Sequence, residues 1–171
     1  EATFSLIFPT LPATVKTIDF IESDCEDCFK IWGISLNGKL PELVLPEEVK
    51  QKTNAVEILP APQLTMGKAT LSGKLLDYKH NYQLNLNAYL CELLTGNENE
   101  IPIEIKEDGS FCTAIDLSAP TSLDLVMGRE KISTLFMTPG EDTKIIINLR
   151  EISRSQSKLL KQNKPEGEKL Y

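Results

Sequence analysis

Two cysteines with a spacing used in redox and metal chemistry, Cys25 and Cys28, are the most chemically suggestive residues of this sequence. A Cys-x-x-Cys pair supports thiol-disulfide exchange when its first thiol is held as a thiolate. The same spacing supplies half of the ligands in many zinc sites. The pair lies in the segment SDCEDCFKIW, residues 23–32, and the residues around it indicate which use is compatible with the chain.

The surroundings of the pair oppose redox catalysis. A catalytic first cysteine usually begins a helix, whose dipole and free N–H groups lower the thiol pKa. The run that follows here, FKIWGISL, is β-branched, aromatic and interrupted by glycine, so it predicts a strand. Nearby negative charge also disfavours the thiolate. Four acidic residues crowd the two sulfurs: Glu22, Asp24, Glu26 and Asp27. We therefore predict either a local disulfide between Cys25 and Cys28 or two free thiols in a tight turn.

The sequence gives little support to a zinc site, a Ser-His-Asp arrangement or a calcium loop. Zinc would need two more ligands, but His80 is the only histidine, and Cys91 and Cys112 lie singly in alternating runs. Lone cysteines in such runs usually act as small buried hydrophobes. A Ser-His-Asp arrangement would have to centre on His80, whose neighbours are more simply loop residues. The acidic stretches 22–27 and 96–100 lack the ligand spacing of a calcium loop. We predict no cofactor, no metal and no catalytic residue.

Composition and charge narrow the class of protein. The chain has 171 residues, of which 41% are hydrophobic and 25% charged, so it can fold around a core as one domain or two small ones. Its net charge of −7 makes nucleic acid an unexpected partner, because nucleic-acid binding needs a basic face. No apolar run is long enough to predict a membrane span. The chain opens on EATFSLIF without an initiator Met or a signal pattern, and we expect a processed or excised piece.

Alternating apolar residues predict a mainly β fold with an antiparallel β-sandwich domain over residues 67–150, of the immunoglobulin-like or carboxypeptidase-regulatory-like kind. About seven short strands are separated by regular turns. The runs around Ile103 and Ile115 flank Glu107-Asp108-Gly109 and predict a β-hairpin, with a positive φ at Gly109. Pro139 and Gly140, in PGEDT, mark the turn between the last two strands.

The remaining segments are less regular. Residues 1–36 contain three strand-like runs, and a shift in apolar phase at Gly33 predicts a bulge. Three strands without a second layer make a poor core, so they either pack on the sandwich or end an upstream β domain. Residues 37–66 form a proline-containing connector with a short helix at PEEVKQK. Residues 151–171 form a polar tail, or the start of a helical linker, which we expect to fray.

Two aromatic residues near the cysteine pair, Phe29 and Trp32, offer a surface for a ligand or partner. An exposed aromatic platform is typical of carbohydrate-binding modules. A tryptophan within a strand is more commonly part of the core. Exposure of Trp32 together with tyrosine side chains would favour a glycan ligand, whereas a bare polar surface would favour a scaffold.

The order of several segments resembles a known family. These are FPTLP, IDFIE and FKIWGI at 8–34, then GKATLSGKLLDY, and finally DGSF to PGEDT at 108–143. Together they are similar to the N-terminal, non-catalytic region of TlpA-like thiol-disulfide oxidoreductases of the Gram-negative envelope. In that family further β-strands precede the first segment, and a helical connector and a thioredoxin domain follow the last one. The catalytic Cys-x-x-Cys of that thioredoxin domain has no counterpart here, because Cys25 and Cys28 lie in a different segment.

The resemblance implies a catalytic function for the parent protein and a non-catalytic function for this chain. It implies a periplasmic or cell-envelope location and a downstream thioredoxin-like domain as partner. The chain itself would be a non-catalytic accessory, scaffold or protein-interaction module that positions the catalytic domain or engages a client protein. The alternative is a carbohydrate- or small-ligand-binding β-sandwich module of a cell-envelope protein. A shared fold region does not by itself transfer activity.

Overall fold

A computed structural model describes most of the chain and places its strands in three sheets. The described residues are 5, 7–21, 30–38, 44–50, 65–82, 84–91, 95–128, 130–156 and 169–171. The elements in chain order are β1 (Thr17–Ile21), β2 (Lys30–Ser35), α1 (Glu47–Lys50), β3 (Gly67–Leu76), a 3-10 turn (His80–Tyr82), β4 (Leu86–Cys91), β5 (Glu98–Ile103), β6 (Ser110–Leu117), β7 (Thr121–Met127), β8 (Glu130–Met137), β9 (Asp142–Asn148) and α2 (Leu149–Gln156).

The predicted mainly β sandwich is confirmed, with β3 to β9 as its seven strands. One sheet has the order β6-β3-β9 and the other has the order β5-β4-β7-β8. Their alternate side chains meet in one core, in which Leu71, Leu125 and Ile147 are fully buried. Burying a side chain of this size contributes roughly 1.5–3 kcal/mol to folding. The period-two pattern therefore identifies the inward-facing residues correctly.

The hairpin predicted across residues 101–117 is wrong beyond its turn. A single antiparallel bridge joins Ile105 to Phe111, but β5 then pairs with β4 and β6 pairs with β3, in opposite sheets. The turn itself forms as expected, because Gly109 has φ +80° and its N–H donates to the Lys106 carbonyl at 2.9 Å. Alternation identifies the face of a strand that enters the core, but it does not identify which of two facing sheets the strand joins.

The 138–141 turn also connects the two sheets, since β8 and β9 lie in different layers. Gly140 has φ +83° and its N–H donates to the Lys68 carbonyl at 2.9 Å, which fixes the turn against the start of β3. β9 then runs parallel to β3, from Thr70 opposite Asp142 to Leu76 opposite Asn148. This is the one parallel pair in an otherwise antiparallel set of described strands.

The N-terminal segment contains two paired strands within the described residues, where the sequence predicts three. β1 and β2 form an antiparallel hairpin. The bulge expected at Gly33 is present: Ile18 pairs with Ile34 and Phe20 with Ile31, so Asp19 faces two residues, and Gly33 has φ +68°. Only part of the first run, ATFSLIF, is described, and its residues 5, 7 and 8 lie outside any strand.

The β1–β2 hairpin packs on the sandwich, which is the first of the two alternatives expected for residues 1–36. Trp32 belongs to the same hydrophobic cluster as the sandwich core. Its backbone N–H donates to the Ser153 hydroxyl in α2 at 2.9 Å, a buried hydrogen bond. The end of the sandwich and α2 therefore pack against the hairpin as a second layer.

The connector contains the short helix predicted at 46–52. It is present as α1, and Val49 N–H donates to the Pro46 carbonyl.

The tail begins with a helix that packs on the core. α2 begins at Leu149, and Leu149, Ile152 and Ser153 are buried. Glu151 N–H donates to the Asn148 side chain at 3.4 Å, so Asn148 caps the helix.

The last three residues also return to the fold. Leu170 is bridged to Ile147 in β9 and packs partly buried against the core. The sequence prediction missed this return because three extended residues show too little periodicity to recognise. Within the predicted tail, 151–171, residues 151–156 thus form the helix that the sequence allowed as the start of a linker, and 169–171 return to the sheet instead of fraying.

Candidate functional site

The strongest candidate site lies where the β1–β2 hairpin meets the end of the sandwich, in a cleft of about 310 Å³ that we call the hairpin cleft. Four chain segments form it. β1 supplies Asp19, β2 supplies Trp32, the turn after β3 supplies Lys79 and Tyr82, and α2 supplies Arg150. These residues are far apart in the sequence, and the fold brings them together.

Asp19 is the polar centre of the hairpin cleft. One of its oxygens, Oδ1, accepts a hydrogen bond from the Gly33 N–H at 2.9 Å. The other, Oδ2, accepts from the Tyr82 hydroxyl at 3.1 Å and forms an ion pair with Lys79. The bulge makes this possible, because it places the Gly33 N–H opposite a side chain instead of in the strand ladder.

The charges of this cluster stabilise one another. Burial alone would raise the pKa of Asp19, but hydrogen bonds from Lys79 and Gly33 and the Lys79 charge hold that pKa below its ordinary value. Burial opposes the charge of Lys79 as well, yet its hydrogen bond to Asp19 raises the Lys79 pKa. Burial raises the pKa of Tyr82. At neutral pH the cluster therefore contains a carboxylate, an ammonium and a neutral phenol.

Trp32 lies beneath this cluster as a core residue, which is the commoner of the two roles that the sequence allowed, and not as part of an exposed interaction surface. Its side chain is only 6% exposed. The indole stacks on the Tyr82 ring, with centroids 5.1 Å apart and planes inclined by 30°. Tyr78 meets Tyr82 edge to face at 6.4 Å. Stacking on a buried aromatic ring contributes more to packing than to ligand recognition, and the Trp32 Nε1 atom has no hydrogen-bond partner among the described residues.

A second ion pair holds the turn after β3 against the start of α2. Arg150 donates to the Asp77 carboxylate at 2.6 Å. Asp77 is the one non-glycine residue of the described chain with a positive φ, at 61°. Aspartate tolerates this left-handed conformation better than most residues. The pair therefore fixes the turn that carries Lys79 and Tyr82 into the cleft.

The chemistry available in the hairpin cleft is that of a docking clamp. Among its described lining residues there is no cysteine, serine or histidine that could act as a nucleophile or base with Asp19. His80 instead lines a separate, open groove beside β4 and β5. The carboxylate and the ammonium neutralise each other, and their hydrogen bonds join β1, β2 and the turn after β3.

The other residues singled out in the sequence lie elsewhere. Asp108 accepts hydrogen bonds from the Ser110 N–H and hydroxyl at 3.0 and 2.6 Å, and these hydrogen bonds lower the pKa of Asp108. Its neighbour Gly109 accepts a hydrogen bond from Leu75 N–H, and a Cβ added at Gly109 would lie 2.9 Å from Tyr78 Cβ. Pro139 and Gly140 lie beside the start of β3 instead: Gly140 N–H donates to the Lys68 carbonyl, and a Cβ added at Gly67 would lie 3.4 Å from Pro139 Cβ. Cys25, Cys28 and Phe29 lie outside the described residues.

Cys91 and Cys112 are exposed free thiols, so the expectation that they are buried is wrong. Side chains alternate between the two faces of each strand. The apolar neighbours of the cysteine face the core, and the cysteine itself lies on the outer face. Cys91 lines a second cleft of about 340 Å³ near Leu90 and Leu117. Among the described residues, no group of three or more His, Cys, Asp and Glu side chains could hold a metal ion.

Sequence reasoning missed the residues that form the clamp. Asp19 gave one usable signal, since an acid in the middle of the apolar run TIDFI must find a partner when the strand is buried. Lys79, Tyr82 and Arg150 gave none, because their roles depend on how four distant segments meet. No protein-family model matches the sequence, and no curated protein is significantly similar to it. Within the described part of the chain, no helix has the length and apolar character needed to cross a membrane.

Proposed function

We propose that this chain is a non-catalytic accessory module of a periplasmic thioredoxin-like disulfide oxidoreductase. Its role is to position the catalytic domain of the parent protein or to engage a client protein. The thioredoxin-like partner and the envelope location rest on the sequence resemblance. The accessory role also draws support from the geometry of the hairpin cleft.

The observation that carries the proposal is the contrast between the clamp of the hairpin and the exposed segment that leads into β1. On the inner side, Asp19 and Lys79 are committed to the clamp that holds the hairpin on the sandwich. On the segment leading into β1, Ile7 and Phe8 are 97% and 59% exposed. Exposed apolar side chains beside a docked hairpin suit contact with another protein surface. Phe8 is tied to the hairpin by an edge-to-face contact with Phe20 at 6.3 Å.

The carbohydrate-binding alternative loses its main support in this arrangement. A glycan site of this kind needs an exposed aromatic platform, and the most suitable residue, Trp32, is buried against Tyr82. The nearest tyrosine, Tyr82, is itself 3% exposed. We therefore advance no second function.

Two matched phenylalanines allow a direct test in the complete gene product. Phe8 and Phe136 are 59% and 50% exposed, on the hairpin side and on β8 respectively. The photoreactive p-benzoylphenylalanine is placed at one position or the other, and the crosslinked products are mapped by mass spectrometry. We expect crosslinks from position 8 to a thioredoxin-like domain encoded downstream or to a client protein, and few from position 136.

The coding sequence downstream of residue 171 gives the complementary test. A thioredoxin domain in the same reading frame would support the proposal. Its absence, or equal crosslinking from the two phenylalanine positions, would contradict it.

A further inference from the structure

The segment Lys169–Tyr171 lies antiparallel along the outer edge of β9, where Leu170 forms an isolated bridge with Ile147. Ile146 N–H donates to the Tyr171 backbone oxygen at 2.7 Å, and Tyr171 N–H donates back to the Ile146 carbonyl at 2.9 Å. Asn148 N–H donates to the Lys169 carbonyl at 2.8 Å. β3 occupies the other edge of β9, so the segment pairs with the outer edge of the three-stranded β6-β3-β9 sheet.

The pairing has a simple recognition pattern. Residues 169 and 171 form the backbone hydrogen bonds to β9, and Leu170 lies between them opposite Ile147. In an antiparallel pair the residue between two hydrogen-bonded positions directs its own N–H and C=O away from the partner strand. Its side chain packs partly buried against the core, where Ile147 is fully buried. The backbone bonds suit any extended segment without proline, and the apolar side chain supplies selectivity.

Two other sheet edges are less suited to accepting a strand. β5 carries Pro102, which cannot donate to a ladder, and the acidic residues Glu98 and Glu100. The pairing of β7 with β8 contains a register shift at Leu125/Val126. Proline, charge and bulges are devices that discourage edge pairing. The β9 edge at 146–148, in contrast, accepts a strand already.

We propose that the β9 edge is a strand-acceptor site for an extended segment of a client polypeptide, with Lys169–Tyr171 as its intramolecular occupant. The client segment has an apolar residue between two residues that pair through their backbones. This inference rests on the proposed function, because it gives the interaction module a site and a class of partner. The occupant competes as a tethered ligand, whose effective concentration is on the order of millimolar.

The test uses the full 171-residue chain and fluorescent peptides. Leu170→Asp weakens the intramolecular occupant by placing a carboxylate against the core. The first peptide has the sequence of residues 165–171, PEGEKLY. We expect it to bind the Leu170→Asp chain at least ~10-fold more tightly than the unaltered chain, because the tethered competitor is weakened. If circular dichroism shows that Leu170→Asp does not fold, Leu170→Ala replaces it.

Two N-methylated peptides provide the matched control. Methylation of the tyrosine N–H removes the donor to Ile146 and should abolish binding, whereas methylation of the leucine N–H, which points away from β9, should leave binding within about 3-fold. Equal binding of the two methylated peptides, or no binding of the parent peptide to the weakened chain, would overturn the proposal.

A further pair of peptides tests the class of partner. A peptide of unrelated sequence that keeps only the apolar middle residue should bind, and its version with aspartate in the middle should not. Binding restricted to the chain's own sequence would assign the site to a second copy and overturn the client proposal. So would a dimer of the unaltered chain that Leu170→Asp dissociates, measured by light scattering. Loss of peptide binding would leave the crosslinking and coding-sequence tests of the proposed function intact, so the two failures are distinguishable.

Discussion

Trp32 and Tyr82 stack in the core with their ring centroids 5.1 Å apart, although one belongs to the β1–β2 hairpin and the other to the turn before β4. Above them, Asp19 and Lys79 form an ion pair across the same junction. The hairpin is thus joined to the sandwich by an aromatic layer and a polar layer. Residues that look like a separate unit in the sequence form part of the sandwich core.

Removing the aromatic layer should release the hairpin. We expect Trp32→Ala to lower the free energy of unfolding by about 3–5 kcal/mol, the usual range for a buried aromatic residue. Urea denaturation measures this loss, and hydrogen exchange should accelerate in β1 and β2 before it does in β3. Phe136→Ala serves as the control, because Phe136 is half exposed and its removal should change stability little. Equal losses for the two variants would contradict the packing role of Trp32.

The polar layer should depend on the charge of Asp19. Asp19→Asn keeps the shape of the side chain but leaves Lys79 without its ion-pair partner in the clamp. We expect a loss of about 1–3 kcal/mol, as is typical for hydrogen bonds to a charged group. Asp116→Asn is the matched control, since Asp116 is exposed on β6. A loss no larger than that of the control, in the same urea denaturation, would show that the clamp adds no stability.

The stability of the protein should also depend on pH through the ionisation of Asp19. The pKa of Asp19 in the folded protein lies below the ordinary value of 3.8. As the pH falls below 3.8, the unfolded chain therefore binds a proton before the folded one does, and the contribution of Asp19 is lost. We expect the stability difference between the unaltered chain and Asp19→Asn to be constant from above this pH up to the alkaline range in which Lys79 titrates, and to shrink below pH 3.8. A difference that grows on acidification would have the wrong sign.

Two glycines with similar backbone angles separate strain from steric clash. Gly109 and Gly140 have φ of +80° and +83°. A Cβ at Gly109 would lie 2.9 Å from Tyr78 Cβ, whereas one at Gly140 would meet nothing within 4 Å. We expect Gly140→Val to cost about 1 kcal/mol through strain alone and Gly109→Val to cost more. Melting temperatures measure both, and an unchanged value for Gly109→Val would count against the turn.

The strands of the sandwich could be predicted because their side chains alternate over many residues. The sheet to which each strand belongs could not, as the residues around Asp108 show: the turn forms as predicted, but β5 and β6 enter opposite sheets. Inward alternation is the same in either sheet. The difference depends on which strands the chain can reach after each turn, and that information is not local.

The candidate site was largely hidden from sequence reasoning for a related physical reason. Only two features of the site can be recognised in the local sequence. The bulge at Gly33 shifts the phase of the apolar residues, and Asp19 places a charge within an apolar strand. Lys79 and Arg150 are ordinary surface residues by composition, and they become partners of aspartates only after the hairpin, the β3 turn and α2 meet. The cysteine pair, which attracts attention first, lies in the sequence between β1 and β2, outside the described residues.

The disulfide-reductase turnover of the isolated chain tests the central claim, a module without redox catalysis, most directly. Cys91 and Cys112 are exposed thiols, so the assay is made in a Cys91→Ser/Cys112→Ser background, with and without the further change of Cys25 and Cys28 to Ser. We predict turnover no faster than that of a free dithiol, and alkylation of Cys25 with a pKa near or above the ordinary value of about 8.5. A thiolate reactive well below that pH, together with turnover that disappears when Cys25 and Cys28 are replaced, would contradict the account.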